Sequence, residues 1–145
     1  MPTDYPQAYT DITNALITAW AGTEDIFGYV PELRFADVPE KGIPEGYYAR
    51  FSMLPNSEAQ STLRNGEDKR YSAFGIIIVQ LFAPIDDVTA AEKLRILSQY
   101  VKTFFRSNLD ETCIIFSNQR VNQLEPELKY RRANVIVEYD YDEIG

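Results

Sequence analysis

YSAFGIIIVQLF, residues 71–82, is the strongest strand signal in the chain, and the rest of the sequence is read around it. β-Branched and aromatic residues dominate it, as a pleated, packed strand prefers. Twelve residues at about 3.3 Å each reach close to 40 Å, longer than a usual strand. Its centre, IIIVQL, is apolar at successive positions, which predicts a place in the middle of a sheet with cover on both faces. Gly75 predicts a bulge or bend within it.

Working outward, Pro84 closes this strand and a helix is predicted from about Asp86 to Arg106. Val88, Ala91, Leu94, Leu97, Val101, Phe104 and Phe105 form its apolar stripe, with Asp86 or Asp87 as the cap. A second helix is predicted at Tyr5 to Ala21, where Tyr5, Tyr9, Ile12, Leu16, Ala19 and Trp20 recur at steps of three and four. Asp4 suits its N-cap, Pro6 its first turn, and Gly22 its stop. Further strands are predicted at Leu33 to Val38, Tyr47 to Leu54, Thr112 to Phe116 and Ala133 to Tyr141. The Gly/Pro-rich stretch PEKGIPEG, residues 39–46, reads as a turn. Residues 55–69, PNSEAQSTLRNGEDK, read as a long polar loop, and residues 117–132 as a polar linker. The expected fold is therefore α+β, a single domain over residues 1–145. It has one mixed or antiparallel sheet of about five strands under two main helices, in the order α-β-β-β-α-β-β.

Charge and composition narrow the function. The formal net charge is −8, from 14 basic and 22 acidic residues. Residues 1–60 hold three basic and nine acidic residues, residues 61–132 eleven and nine, and residues 133–145 none and four. A weakly positive middle thus sits between two acidic ends, and sequence-specific DNA binding is not expected. Ten Tyr and eight Phe fit either strand-rich packing or protein interfaces. No apolar run approaches the roughly 20 residues that span a bilayer, so no membrane partner is expected. The start, MPTDYPQAYTDI, lacks an apolar signal region, and the expected site of synthesis and assembly is the cytoplasm.

Catalytic chemistry finds little footing. The chain has no histidine, which removes the commonest general base and most transition-metal sites. Cys113 sits beside Ile114 and Ile115 and reads as a buried structural thiol. The glycines match no nucleotide-binding spacing, and Asn65-Gly66 reads as a loop tip. No cofactor is expected. Asp140, Asp142 and Glu143 are the best carboxylate cluster. They read as a solvated acidic edge, with a small metal-dependent enzyme as the alternative from another class. The basic residues Arg64, Lys69 and Arg70, then Arg120, Lys129, Arg131 and Arg132, read either as a solvated face or as a docking surface for an acidic partner or a neighbouring subunit.

The segment GIIIVQLFAPIDD, residues 75–87, joins an apolar strand through Phe82 and Pro84 to a helix that ends in Phe104-Phe105. With the N-terminal helix and the closing VIVEYDY strand, it resembles the tail terminator proteins of long-tailed phages. The resemblance implies a homo-oligomeric ring, a hexamer in that family, which caps the completed tail tube and stops its polymerisation. Such a ring also offers the joining surface for the head–tail connector protein. Its place would be the head-proximal end of the virion tail, after assembly in the host cytoplasm. DNA would pass through the lumen without specific binding. Within that picture Arg64, Lys69, Arg70, Arg120, Arg131 and Arg132 are expected at subunit or partner contacts, and Asp140, Asp142 and Glu143 at an acidic lumen or edge. Another head–tail connector, completion or contractile-tail component is the alternative, and no enzymatic activity is expected.

Overall fold

The Tyr71–Phe82 stretch lies within β3, Arg70–Pro84, which is the central strand of a five-stranded sheet in the order β1-β2-β3-β5-β4. The computed structural model describes residues 4–38, 42, 44, 46–60, 70–107 and 114–144, the side chains of 56–60, 70, 71, 143 and 144 excepted. β1 is Glu32–Phe35, β2 Tyr48–Gln60, β4 Ile115–Glu127 and β5 Tyr130–Ile144. β1 runs parallel to β2, and every other pairing is antiparallel. The α+β class with a mixed five-stranded sheet and two principal helices matches the expectation from sequence.

α1, Tyr5–Trp20, starts where its residues predict. Asp4 accepts from the Gln7 backbone N–H at 2.9 Å, and a proline sits in the first turn. Its buried line is Ala8, Ile12, Leu16 and Trp20, four residues apart and so on one face. Gly22 does not stop the chain's helical course. A short 3₁₀ turn at Ala21–Thr23 leads into α2, Glu24–Phe27, which ends at Gly28 with φ 77°. Gly22 instead gives room to the Tyr100 hydroxyl, which donates to the Ala19 carbonyl where a Cβ on residue 22 would collide.

α3, Ala90–Arg106, begins four residues later than the sequence suggests. Val88, expected in the stripe, is wholly exposed. The reason is the turn before the helix, where the Asp87 carboxylate accepts from both the backbone N–H and hydroxyl of Thr89 and from the Tyr47 hydroxyl. The buried stripe proper is Ala90, Leu94, Leu97, Ser98, Val101 and Phe105. Both helices cover the same face of the sheet. The Tyr5 hydroxyl donates to the Met53 carbonyl at 3.3 Å, Tyr9 packs edge-on to Phe51, and Phe105 packs edge-on to Phe116. Beneath them lie Ala49, Phe51, Ile77, Val79, Leu81, Val135, Val137 and Tyr139, all at odd positions and all buried.

Two expectations need correction. Residues 117–132 are not a linker: β4 continues to Glu127 and meets β5 through a turn at Leu128 and Lys129. The segment is polar because β4 is an edge strand, with one weakly buried side and one wet one. Nor does the described chain cover β3 on both faces. Ile76 and Ile78 remain half-buried and Phe74 exposed, because no helix crosses their side. Residues 55–60 of the expected long loop belong to β2. Arg64, Lys69, Asn65-Gly66 and Cys113 lie outside the described residues.

Candidate partner-binding face

The pleat of the sheet sends every even-numbered side chain of β3 and β5 away from the helices. The register then defines rows across that open face. At one end Glu32, Tyr48, Phe82, Arg132 and Leu124 are neighbours, followed by a polar row of Arg34, Arg50, Gln80, Asn134 and Asn122. Next come Ser52, Ile78, Ile136 and Arg120, then Leu54, Ile76, Glu138 and Ser117. Phe74, Asp140 and Ile115 form the following row, and Ser72 pairs with Asp142 beyond it. The face is therefore basic at one end, isoleucine-rich at the centre and acidic at the other end. Its exposed apolar members are Leu54 at 46%, Phe74 at 39% and Ile115 at 50%, more than a covered sheet would leave open.

The basic end is ordered by its own aromatics. Tyr48 stacks on Phe82 with centroids 4.3 Å apart, Tyr130 packs edge-on to both, and the Tyr130 hydroxyl donates to the Pro44 carbonyl. The Arg34 guanidinium lies 5.7 Å from the Tyr48 ring centre and 3.3 Å from Glu32. Arg132 pairs with Glu127 at 2.8 Å and also donates to the Glu125 carbonyl. At the acidic end the Ser72 hydroxyl donates to Asp142 at 3.1 Å. The Asp140 carboxylate is exposed and has no hydrogen bond or ion pair among the described residues. Partial burial, then the neighbouring Asp142 charge, raise its pKa above the usual aspartate value.

The residues singled out in the sequence thus fall into separate places. Arg120 lies beside Glu138 at 3.4 Å near the centre of the face, and Arg132 lies at its basic end. Arg131 is exposed on the helix side of β5, one residue out of phase, so it does not join them. The Arg70 backbone pairs with Ile144, so Arg70 belongs to the same sheet, beyond the acidic end. Asp140 and Asp142 share the open face, while the Glu143 backbone pairs with Tyr71. Among the described residues no group of three or more His, Cys, Asp or Glu is placed to hold a metal ion. No helix among them is long and apolar enough to cross a membrane.

Sequence reasoning missed the face itself. Its signal was present in the uninterrupted IIIVQL run, which announces two apolar sides without saying that one is left open. Two grooves lie elsewhere. One of about 590 Å³ runs between α1, α2 and α3 past Ile26, Ile96, Tyr100 and Phe104. The other, of about 540 Å³, lies beside β2 where Tyr9 donates to Asp37 at 2.8 Å. There burial, and then the Asp37 hydrogen bond, push the Tyr9 pKa up to about 12. One carboxylate lines each groove, Asp25 in the first and Asp37 in the second.

No family model matches the chain, and no curated protein matches it. One solved structure, which carries no descriptive name, is similar in fold with a TM-score of 0.56 at 12% identity. The match covers 89% of this chain and 94% of that one. A likeness at that identity is one of fold alone.

Proposed function

We propose that this chain is a structural subunit of a phage tail, a terminator that closes into a ring on the completed tube and offers the surface to which the head connector docks. The observation that carries the reading is the length of β2, β3 and β5 relative to the helices above them. α1 begins at Tyr5, whose hydroxyl meets the Met53 carbonyl, yet β2 continues seven residues further, to Gln60. β3 and β5 stay paired to Arg70 and Ile144. At about 3.3 Å per residue, β2 runs roughly 23 Å past the start of α1. An arm of this kind suits contact with a neighbouring subunit or tube, as a heterologous ring contact requires. It leads into Arg64, Lys69 and Arg70, the cations proposed for that contact. The acidic end of the open face, Glu138, Asp140 and Asp142, suits a lumen along which DNA slides without binding. The role needs no catalytic group, cofactor or membrane.

Electron microscopy of the purified protein, alone and with tube protein, tests this reading. Rings are expected, hexameric ones in the first instance. Reversal of Arg64 and Arg70 to Glu is expected to leave folding intact and prevent rings or tail capping. A protein that stays monomeric with and without tube protein would refute the proposal.

A further inference from the structure

We infer that the open sheet face binds a second copy of this chain, face to face, about a two-fold axis running across the strands through Ser52, Ile78 and Ile136. Two observations favour the face over the edges. On the β4 edge, pairing with β5 slips at Ser117/Arg120 and again at Leu124/Glu127, with Asn118 at φ 51° and Pro126 in the second slip. On the other side, β2 beyond Phe51 carries Pro55 and a register shift. Prolines and bulges are what discourage strand addition at an edge.

The choice of a second copy rests on the symmetry of the pattern about that central row. Such an axis reverses strand direction and lays β5 on β5 and β3 on β3. Ile136 then meets the partner's Ile136, and Ile78 meets the partner's Ile78. Arg132 and Asp140 each stand four residues from Ile136 on the same face, about 13 Å away in opposite directions. Each Arg132 therefore faces the partner's Asp140, the carboxylate that has no cation partner among the described residues. Phe82 and Phe74 are likewise four residues either side of Ile78, so the rings face each other. On β4, Ile115 in the Asp140 row meets the partner's Leu124 from the Arg132 row. Gln80 over Ile76, Arg50 over Leu54 and Asn134 over Glu138 are the unlike contacts, and Arg120, in the axis row, meets the partner's Arg120, each held 3.4 Å from its own Glu138. An oppositely charged end on each side of an apolar centre is the arrangement an isologous contact needs. Eight residues along four strands give a footprint of about 27 by 19 Å. That is about 500 Å² per partner before side-chain relief, at the roughly 1,000 Å² in total that a specific interface needs.

The pair does not rest on the ring proposed above, whose contact is heterologous and assigned to the β2–β3 arm; pairing covers Asp140 and Asp142, so the pair and an open acidic lumen are alternative states of this face. Sedimentation velocity and light scattering of the purified chain test it. A concentration-dependent dimer is expected, and Ile136→Arg is expected to give monomer with unchanged circular dichroism. Asp140→Lys, at an exposed site, is expected to weaken the pair by at least about tenfold, because two cations then face each other. Combining it with Arg132→Glu restores opposite charges in reversed order, and recovery to within about threefold is expected, the signature of direct coupling. A native chain monomeric up to about 100 μM would overturn the inference, since a specific interface is populated there. A folded Ile136→Arg that still dimerises, or a double reversal no tighter than Asp140→Lys, would also overturn it. Ring formation with tube protein, scored separately by microscopy, decides the other proposal and not this one.

Discussion

Replacing Gly75 with alanine addresses the tightest point in the sheet. Gly75 sits in β3 between Pro55 of β2 and Tyr139 of β5, beside the register shift at Pro55/Ser57. A Cβ there would run into the Leu54 carbonyl and stand 2.7 Å from the Tyr139 hydroxyl and 2.9 Å from its ring. Tyr139 is 98% buried and stacks beside Tyr141, so its ring has little room to swing away. The carbonyl belongs to β2, whose Leu54 pairs with Ile76 of β3. Overpacking of a well-packed core costs about 1–3 kcal/mol, and two immobile neighbours place Gly75→Ala near the upper end. In a chain of this length about 3 kcal/mol lowers Tm by roughly 9 °C. Gly28→Ala is the control. Its φ of 77° penalises a side chain, but nothing lies within 4 Å, so about 1 kcal/mol is expected from backbone strain alone. Denaturant and thermal unfolding of both variants measure the difference. Adding Tyr139→Phe to Gly75→Ala removes the hydroxyl contact, leaving those with the ring and the Leu54 carbonyl, and is expected to return about 1 kcal/mol of coupling. A Gly75→Ala protein as stable as the native chain, or less affected than Gly28→Ala, would refute this account.

Two further outcomes can be checked on the same purified protein. Leu128, 80% exposed at φ 55°, holds a left-handed position in the β4–β5 turn, so Leu128→Gly is expected to stabilise the fold by up to about 1 kcal/mol in urea titrations. A loss of stability there would show that the Leu128 side chain supports the turn. Asp87 titrates at about 2 instead of its ordinary 3.8, first because the Tyr47 hydroxyl donates to it and then because the Thr89 N–H and hydroxyl do. The folded pKa is depressed, so this contribution is complete above about pH 4 and disappears as pH falls toward 2. Asp87→Asn is therefore expected to be less stable than the native chain at pH 7, with the gap narrowing as pH falls toward 2. A gap constant with pH would remove the carboxylate charge from the explanation.

Sequence alone carried the local half of the fold. The i, i+4 line of Ala8, Ile12, Leu16 and Trp20, capped by Asp4, made α1 legible, because capping and helical periodicity depend on neighbours a few residues apart. The alternation of ANVIVEYDY and the length of YSAFGIIIVQLF identified β5 and β3 for the same reason. The candidate site was legible only as unplaced parts: Arg120, Arg132, Asp140 and Asp142 were visible as charges, without any sign that they share a face or that Arg131 does not. Only the tertiary structure decided that. Register pairs Arg132 with Phe82 and Asp140 with Phe74, residues more than 45 positions apart, and no local pattern encodes such a pairing. It also turned a polar stretch at 117–127 into an edge strand, whose hydrogen bonds come from β5 and not from its own composition. The apolar run at 76–79 determined that β3 would have two greasy sides; where α1 and α3 pack decided that one of them stays open.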